Sequence, residues 1–261
     1  MTIDKETLLK SNLYKQPYQQ EKNYLQDLFL SAIYNCFDDS LVFKGGTALS
    51  KFYGSVLFSD NIDFSMDLNK ISVKEVEYRI EDVIKGINIS YSTKTLRKSA
   101  KGEMVVYELS IRGPLFEMLN KYQHLKIEID KKTSVIERAN AIRINPIYPD
   151  ISPYIAVVMA EKEILAEKIV ALLFRSNPKA RDLYDLYFLI EKGTEIKISL
   201  VDKKMREYGH TFTQDKFNRR MAAIEKTWNK ELRRLLLKTD FVTYRLASKK
   251  VTECLKEATL L

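Results

Sequence analysis

A strand-like run that ends in two adjacent glycines and passes straight into a helix-like run leaves a chain few ways to fold. Residues 41–52, Leu-Val-Phe-Lys-Gly-Gly-Thr-Ala-Leu-Ser-Lys-Phe, are such a run. They predict a strand over Leu41 to Lys44, a turn at Gly45-Gly46, and a helix start. Glycine lets the backbone approach an anion closely, and the first amides of a helix point outward without partners, a combination suited to a triphosphate. The next segment, Phe58-Ser59-Asp60-Asn61-Ile62-Asp63-Phe64, reads as a second strand in which Asn61 and Asp63 alternate onto one face. An Asp inside the apolar pattern Ile62-Asp63-Phe64 is costly to bury unless something binds it. A phosphate cradle beside a metal ligand is the minimum equipment for nucleotidyl transfer. The competing reading is a plain strand-to-helix turn followed by an edge strand whose Asp faces water.

Size and charge bound the rest. A chain of 261 residues with 45% hydrophobic content has room for a real core. Apolar runs such as Ile155 to Ala160 are too short to span a bilayer, so no membrane partner is expected and a cytoplasmic location is. Only Cys36 and Cys254 occur, with two His, so neither a disulfide framework nor a zinc site is favoured, and any metal is expected on oxygen ligands. The net charge of +8 is lopsided: residues 201–261 carry 15 Lys and Arg against 8 Asp and Glu, leaving 28 against 27 for the first 200. Such asymmetry points either to a surface for a polyanion or to a solvated helical face.

No repeat or low-complexity linker interrupts the chain. Apolar positions at Leu25, Leu28, Phe29, Ala32, Ile33 and Cys36 predict a helix over 17–37. Ser72 and Glu75 form a capping box that opens a second helix, expected to close at Gly86. Alternation predicts strands over Glu103 to Arg112 and His124 to Asp130. From Ala160 the pattern is helical: one helix through Ile164, Leu165, Ile169, Leu172 and Leu173, and another capped by Asn177-Pro178 and ending near Gly193. A third is opened by Ser199 and stopped at Gly209. Phe217, Met221, Ile224, Trp228, Leu232 and Leu235 mark one amphipathic helix with basic residues on its other side. Trp228 lies in that apolar stripe, as a core residue or as a platform for a nucleobase.

The diglycine followed by an Asp-bearing strand resembles the first motif of the DNA polymerase beta-like nucleotidyltransferase superfamily. Within it, GGTALSK, the segment FSDNIDF, and the pair ILAEKIVALLFR and RDLYDLYFL resemble the AbiEii/AbiGii toxins of abortive-infection and toxin–antitoxin systems. The likeness spans about residues 40 to 190. It implies an α+β fold: a nucleotidyltransferase core over 1–150, a small mixed sheet flanked by helices, then a helical region with basic C-terminal helices over 151–261. It implies Mg2+ as cofactor, an NTP as substrate, an RNA acceptor such as a tRNA 3′ end, and a cognate antitoxin protein as partner.

The same likeness implies residue roles. Asp63, Glu128 and Asn61 would hold the metal, with Asp130 as the alternative to Glu128. Lys168 would reach the triphosphate, positioned by Asp185 and Asp182, with the cradle made of Gly45, Gly46, Thr47, Ser50 and Lys51. Arg181 joins the nucleotide-binding set and stands four residues before Asp185, at pairing distance on a helix. The competing reading of Lys168, Asp182 and Asp185 is a set of helix-surface ion pairs. The family usually has Asp where this chain has Asn61; an amide offers a neutral oxygen without the charge that makes a hard-cation site strong. A nucleotidyltransferase-fold scaffold without chemistry is therefore the second reading.

Overall fold

The computed structural model describes residues 2–11, 13–14, 16–100, 102–132 and 134–260. In chain order its elements are α1 (Lys5–Lys10), α2 (Pro17–Cys36), β1 (Leu41–Lys44), α3 (Gly45–Phe52), β2 (Ile62–Met66), α4 (Val73–Ser90), β3 (Thr93–Ser99) and β4 (Met104–Ile111). There follow α5 (Phe116–Leu119), β5 (Gln123–Asp130), β6 (Asn140–Ile144), β7 (Tyr154–Val158) and the helices α6 (Glu161–Phe174), α7 (Ala180–Glu191), α8 (Ile198–Glu207), α9 (Gln214–Glu225), α10 (Trp228–Leu232) and α11 (Tyr244–Leu260). None of the helices is long and apolar enough, over the described residues, to cross a membrane. The chain forms two compact units.

The first unit comprises Met1–Lys44, Asp60–Ser134 and Ala139–Val158. Its frame is a seven-stranded mixed sheet in the order β3-β4-β5-β2-β1-β7-β6. Strand β2 pairs antiparallel with β1 and parallel with β5. Period-two alternation gives the sheet two chemically different faces. One carries Phe43, Ile62, Phe64, Ile127 and Ile129, all fully buried. Helix α2 covers this face: the Tyr34 ring meets Phe64 edge-on and its hydroxyl donates to the Val157 carbonyl at 2.8 Å. Burying side chains of this size contributes roughly 1.5–3 kcal/mol each. A one-residue slip of β2 would expose Phe64 and bury Asp63 against the helices, so the apolar face fixes the register that positions the polar one.

The second unit comprises Gly45–Ser59, Val135–Arg138 and Met159–Leu261. Helices α6 and α7 form its centre, burying Leu165, Ile169, Leu172 and Leu173 from one and Leu183, Leu186 and Leu189 from the other. The Glu163 carboxylate is fully buried, yet it is satisfied: it accepts the N–H groups of Ile136 and Glu137 and pairs with Lys204 at 2.6 Å.

Several boundaries differ from the pattern-based expectations for physical reasons. Helix α4 does not stop at Gly86 but runs one more turn, because Ile87 is buried and Tyr91 caps the end by donating to the Ile87 carbonyl. Helix α7 begins at Ala180, not at Asn177-Pro178. Its first amide is capped by the Glu231 carboxylate at 3.0 Å, an acceptor 51 residues away. The expected single helix through Leu235 is two, α9 and α10, broken at Lys226 and Thr227, where the Thr227 N–H turns back to the Ile224 carbonyl. Trp228 is core: it is buried and its Nε1–H donates to the Val242 carbonyl at 2.9 Å. Strands β6 and β7 lie where no element was expected, and helix α11 falls in the expected C-terminal helical region, where no separate helix was delimited.

Candidate active site

In the first unit the polar face of the sheet gathers the predicted metal ligands. Asp63 stands in register with Lys44 on β1 and with Glu128 on β5, so the three form a row across adjacent strands. Asn61 lies one residue before β2 begins, and its Nδ2 donates to Glu128 Oε2 at 2.9 Å. Lys126 pairs with the other oxygen of Glu128 at 2.7 Å. Two residues along, Ser65 stands in register with Asp130. The Asp130 carboxylate is taken by Lys44 at 3.0 Å and by the N–H of Lys132 at 2.9 Å. Glu128 is thus the carboxylate beside Asp63, while Asp130 is the counter-ion of a buried lysine. Ser65 Oγ is fully buried with no hydrogen-bond partner among the described residues. Carboxylates crowded on a sheet face whose reverse is largely apolar are a costly arrangement, stable only with cations beside them.

In the second unit the diglycine, the lysine and the two aspartates come together. Gly45 has φ of +78°, a conformation that L side chains rarely adopt, so this position needs glycine. At Gly46 space is tight: a Cβ there would stand 3.1 Å from Ser59 Oγ, which would have to give way, and 3.6 Å from Asp185 Oδ2. Lys168 Nζ lies 2.6 Å from Asp185 Oδ2 and 3.3 Å from Asp182 Oδ1. Arg175 completes the charge balance of Asp182 at 3.0 Å. Both aspartates are buried, at 0% and 2% exposure, which sets them apart from surface pairs.

Burial pushes the Asp185 carboxyl above its ordinary range, a shift that the charge and hydrogen bond of Lys168 only partly oppose. For Lys168 burial works to lower the ammonium, but Asp185 and then Asp182 outweigh it and hold the group above its usual value. The second Asp185 oxygen, Oδ1, is buried with no hydrogen-bond partner among the described residues. An unsatisfied carboxylate oxygen beside a glycine-lined contact marks a place built for more than packing.

The remaining predicted residues are placed as follows. Thr47 is fully buried on α3, and the Ser50 hydroxyl donates to the Thr47 carbonyl at 3.1 Å. Lys51 is partly exposed in the last turn of α3. Arg181 does not pair with Asp185; it is half-exposed and influences that carboxylate only through its field. Ser59, Arg175, Lys44 and Lys126 were not singled out from the sequence. The lysine immediately before the diglycine was a usable signal for one of them; the contact of Ser59 with Gly46 is tertiary and had none.

The sequence profile of the nucleotidyl transferase AbiEii toxin, type IV toxin–antitoxin system, matches residues 28–245. The chain belongs to the AbiEii toxin family. It is a nucleotidyltransferase of the toxin–antitoxin class, and the family match covers the residues of both clusters. No curated protein sequence matches it. Among solved structures it is similar to JHP933 from Helicobacter pylori, with a TM-score of 0.57 and 16% identity over 92% of this chain and 91% of that one. It is also similar to a candidate nucleotidyltransferase from H. pylori, with a TM-score of 0.57 and 16% identity over 91% of this chain and 94% of that one. At such identity the likeness speaks for the fold alone, and the AbiEii fold it supports is the mixed sheet with C-terminal helices described above.

Proposed function

We propose that this AbiEii-family chain transfers a nucleoside monophosphate from an NTP to the 3′-hydroxyl of a nucleic-acid acceptor, a tRNA end, using Mg2+, as the cytoplasmic toxin partner of a cognate antitoxin. The acceptor oxygen forms a bond to the α-phosphorus, the bond from that phosphorus to its bridging oxygen breaks, and pyrophosphate leaves. The observation that carries this reading is the register of Asp63 beside Glu128 on parallel strands, on the polar face of a sheet whose other face is apolar.

The donor set suits magnesium. Mg2+ is commonly held by one or two protein carboxylates, with substrate phosphates and water completing its shell. Asp63 and Glu128 supply the carboxylates, and Asn61 supplies an amide oxygen once its side chain releases Glu128. Two carboxylates and an amide would leave the rest of the ion's shell to the substrate's oxygens and water. When bound, the ion neutralises phosphate charge and eases deprotonation of the attacking hydroxyl. Lys168, held charged by Asp185 and Asp182, binds the triphosphate. The amides that open α3 serve the same anion.

The hydrogen bond from Asn61 to Glu128 favours one further reading, a nucleotide-binding scaffold in which the amide occupies the ligand instead of a metal. Incubating the purified chain with radiolabelled NTPs, total tRNA and Mg2+ separates the two. Label transferred by the natural chain and lost in Asp63→Ala supports the transferase. If neither the natural chain nor Asn61→Asp labels RNA while NTP still binds, the scaffold reading replaces it.

A further inference from the structure

Helix α10 and its flanks carry a run of weakly compensated positive charge in the second unit. Residues 226–238 contain Lys226, Lys230, Arg233, Arg234 and Lys238 against a single acid, Glu231. Lys226, Lys230, Arg233 and Arg234 are all exposed. Among the described residues Lys226, Lys230 and Arg233 make no ion pair. Their neighbours on α9 differ: Arg220 donates to the carbonyls of Leu173 and Arg175, and Lys216 lies 3.7 Å over the Phe174 ring. Those cations are used to hold helices together. The lone acid is also occupied, since Glu231 caps α7 at Ala180. Outside the run, Glu225 precedes it and Asp240 follows it.

The segment is fixed in place rather than loose. Trp228 and Leu232 are buried beneath it, so the cations project from an anchored turn. Its end is tied to the diglycine cluster of the same unit: the Leu235 carbonyl accepts the N–H of Phe58, the residue before the Ser59 that abuts Gly46. Its middle is tied to the start of α7, which carries Asp182 and Asp185. In the run 226–238 the one large apolar side chain exposed among the described residues is Leu237, beyond the cations at its far end, and none is exposed among Lys226, Lys230, Arg233 and Arg234. A protein interface would need an apolar or aromatic centre, whereas a phosphate backbone needs only cations that displace its counterions.

Building on the transferase reading, we propose that Lys226, Lys230 and Arg233, with Arg234 beside them, form the docking surface for the phosphate backbone of the nucleic-acid acceptor. The surface positions the acceptor strand and reads no base, since the aromatic residue within it is turned inward.

The test is binding, not turnover, so it stands or falls apart from the transferase reading. The probe is a labelled RNA hairpin with a single-stranded 3′ overhang, its affinity for the full chain measured across a KCl series. In the triple variant Lys226→Gln, Lys230→Gln, Arg233→Gln, the slope of log affinity against log salt is expected to become shallower by about 2 to 3. Affinity at 0.15 M salt is expected to fall at least about tenfold, with NTP affinity and circular dichroism unchanged. The variant Lys226→Arg, Lys230→Arg is expected to keep the natural slope. An unchanged slope in the triple variant overturns the proposal, as does a parallel loss of NTP affinity. Poly-glutamate bound as tightly as the RNA, and weakened by the same substitutions, would overturn it in favour of an acidic protein partner. Loss of RNA labelling in Asp63→Ala with RNA binding intact leaves the docking surface standing.

Discussion

Replacing Lys168 with Met removes a cation from between two buried carboxylates, and the structure says which one suffers. Asp182 keeps Arg175 at 3.0 Å, whereas Asp185 loses its ion pair at 2.6 Å and already has one oxygen without a partner. Removing one member of a buried pair costs about 3–5 kcal/mol, against about 0–1 kcal/mol for a surface pair. Lys168→Met is therefore expected to lower stability by about 3 kcal/mol or more at pH 8, measured as the shift in urea midpoint at constant slope. Adding Asp185→Asn makes the site neutral and is expected to recover most of that loss, giving a coupling of about 2–3 kcal/mol in the double-mutant cycle. Nucleotidyl transfer is expected to stay lost in the double variant.

The pH dependence follows from the direction of the Asp185 shift. Its folded carboxyl sits above the unfolded value of 3.8, so at pH values between the two the native state holds a proton that the unfolded state has released. Stability then falls as pH rises through the folded value, and returns as pH is lowered. Without Lys168 to oppose burial the folded value climbs further, so the deficit of Lys168→Met is expected to shrink from pH 8 towards pH 5. A loss below about 1 kcal/mol, or a double variant no more stable than the single one, would refute the reading of this cluster as buried and mutually dependent.

Gly46→Ala is expected to cost about 1–2 kcal/mol and to weaken NTP binding, because the added Cβ meets Ser59 Oγ at 3.1 Å; adding Ser59→Gly should relieve the stability part, as thermal melting would register. Because Lys168 is held above its ordinary value, NTP affinity measured by calorimetry is expected to show no lysine deprotonation between pH 7 and 9, and an apparent group near 8 assigned to Lys168 would contradict it. Lys204→Met leaves the buried Glu163 with its two backbone donors but no cation, an expected loss of about 3 kcal/mol in urea melts with the NTP dissociation constant of the folded fraction unchanged.

What could be read in the sequence was whatever is decided locally. Helix α2 follows its apolar period, β1 its apolar run, and the start of α4 its cap, where Ser72 accepts the Glu75 N–H. Helix α7 could not be placed from Asn177-Pro178 because its first amide is satisfied by Glu231, far along the chain. Strand β7 is a five-residue apolar stretch of the kind that strand and helix share, and β6 exposes most of its residues, so neither carries a distinctive period. The site divides the same way. Alternation placed Asp63 and Glu128 on polar faces, but only tertiary pairing puts them in one register and commits Asp130 to Lys44. The partnership of Lys168 with Asp185 was implied by family likeness alone, and the role of Ser59 against Gly46 by nothing local.

Residue 61 is where the charge balance of the carboxylate row in the first unit can be tested directly. Asn61 Nδ2 donates to Glu128 Oε2 at 2.9 Å, so Asn61→Asp would set two carboxylates at that separation. Their repulsion is about 6 kcal/mol at an effective dielectric of about 20 and about 1.4 kcal/mol in water. The Glu128 side chain is 23% exposed and already paired with Lys126, so the cost after relaxation belongs towards the lower end. Asn61→Asp is therefore expected to melt below the natural chain without divalent ions. Because that repulsion is relieved by a cation among the oxygens, millimolar Mg2+ is expected to raise its melting temperature by more than it raises that of the natural chain. Equal responses of the two chains to Mg2+ would mean that Asn61, Asp63 and Glu128 do not share an ion. The charge row on the sheet would then be balanced by Lys44 and Lys126 alone.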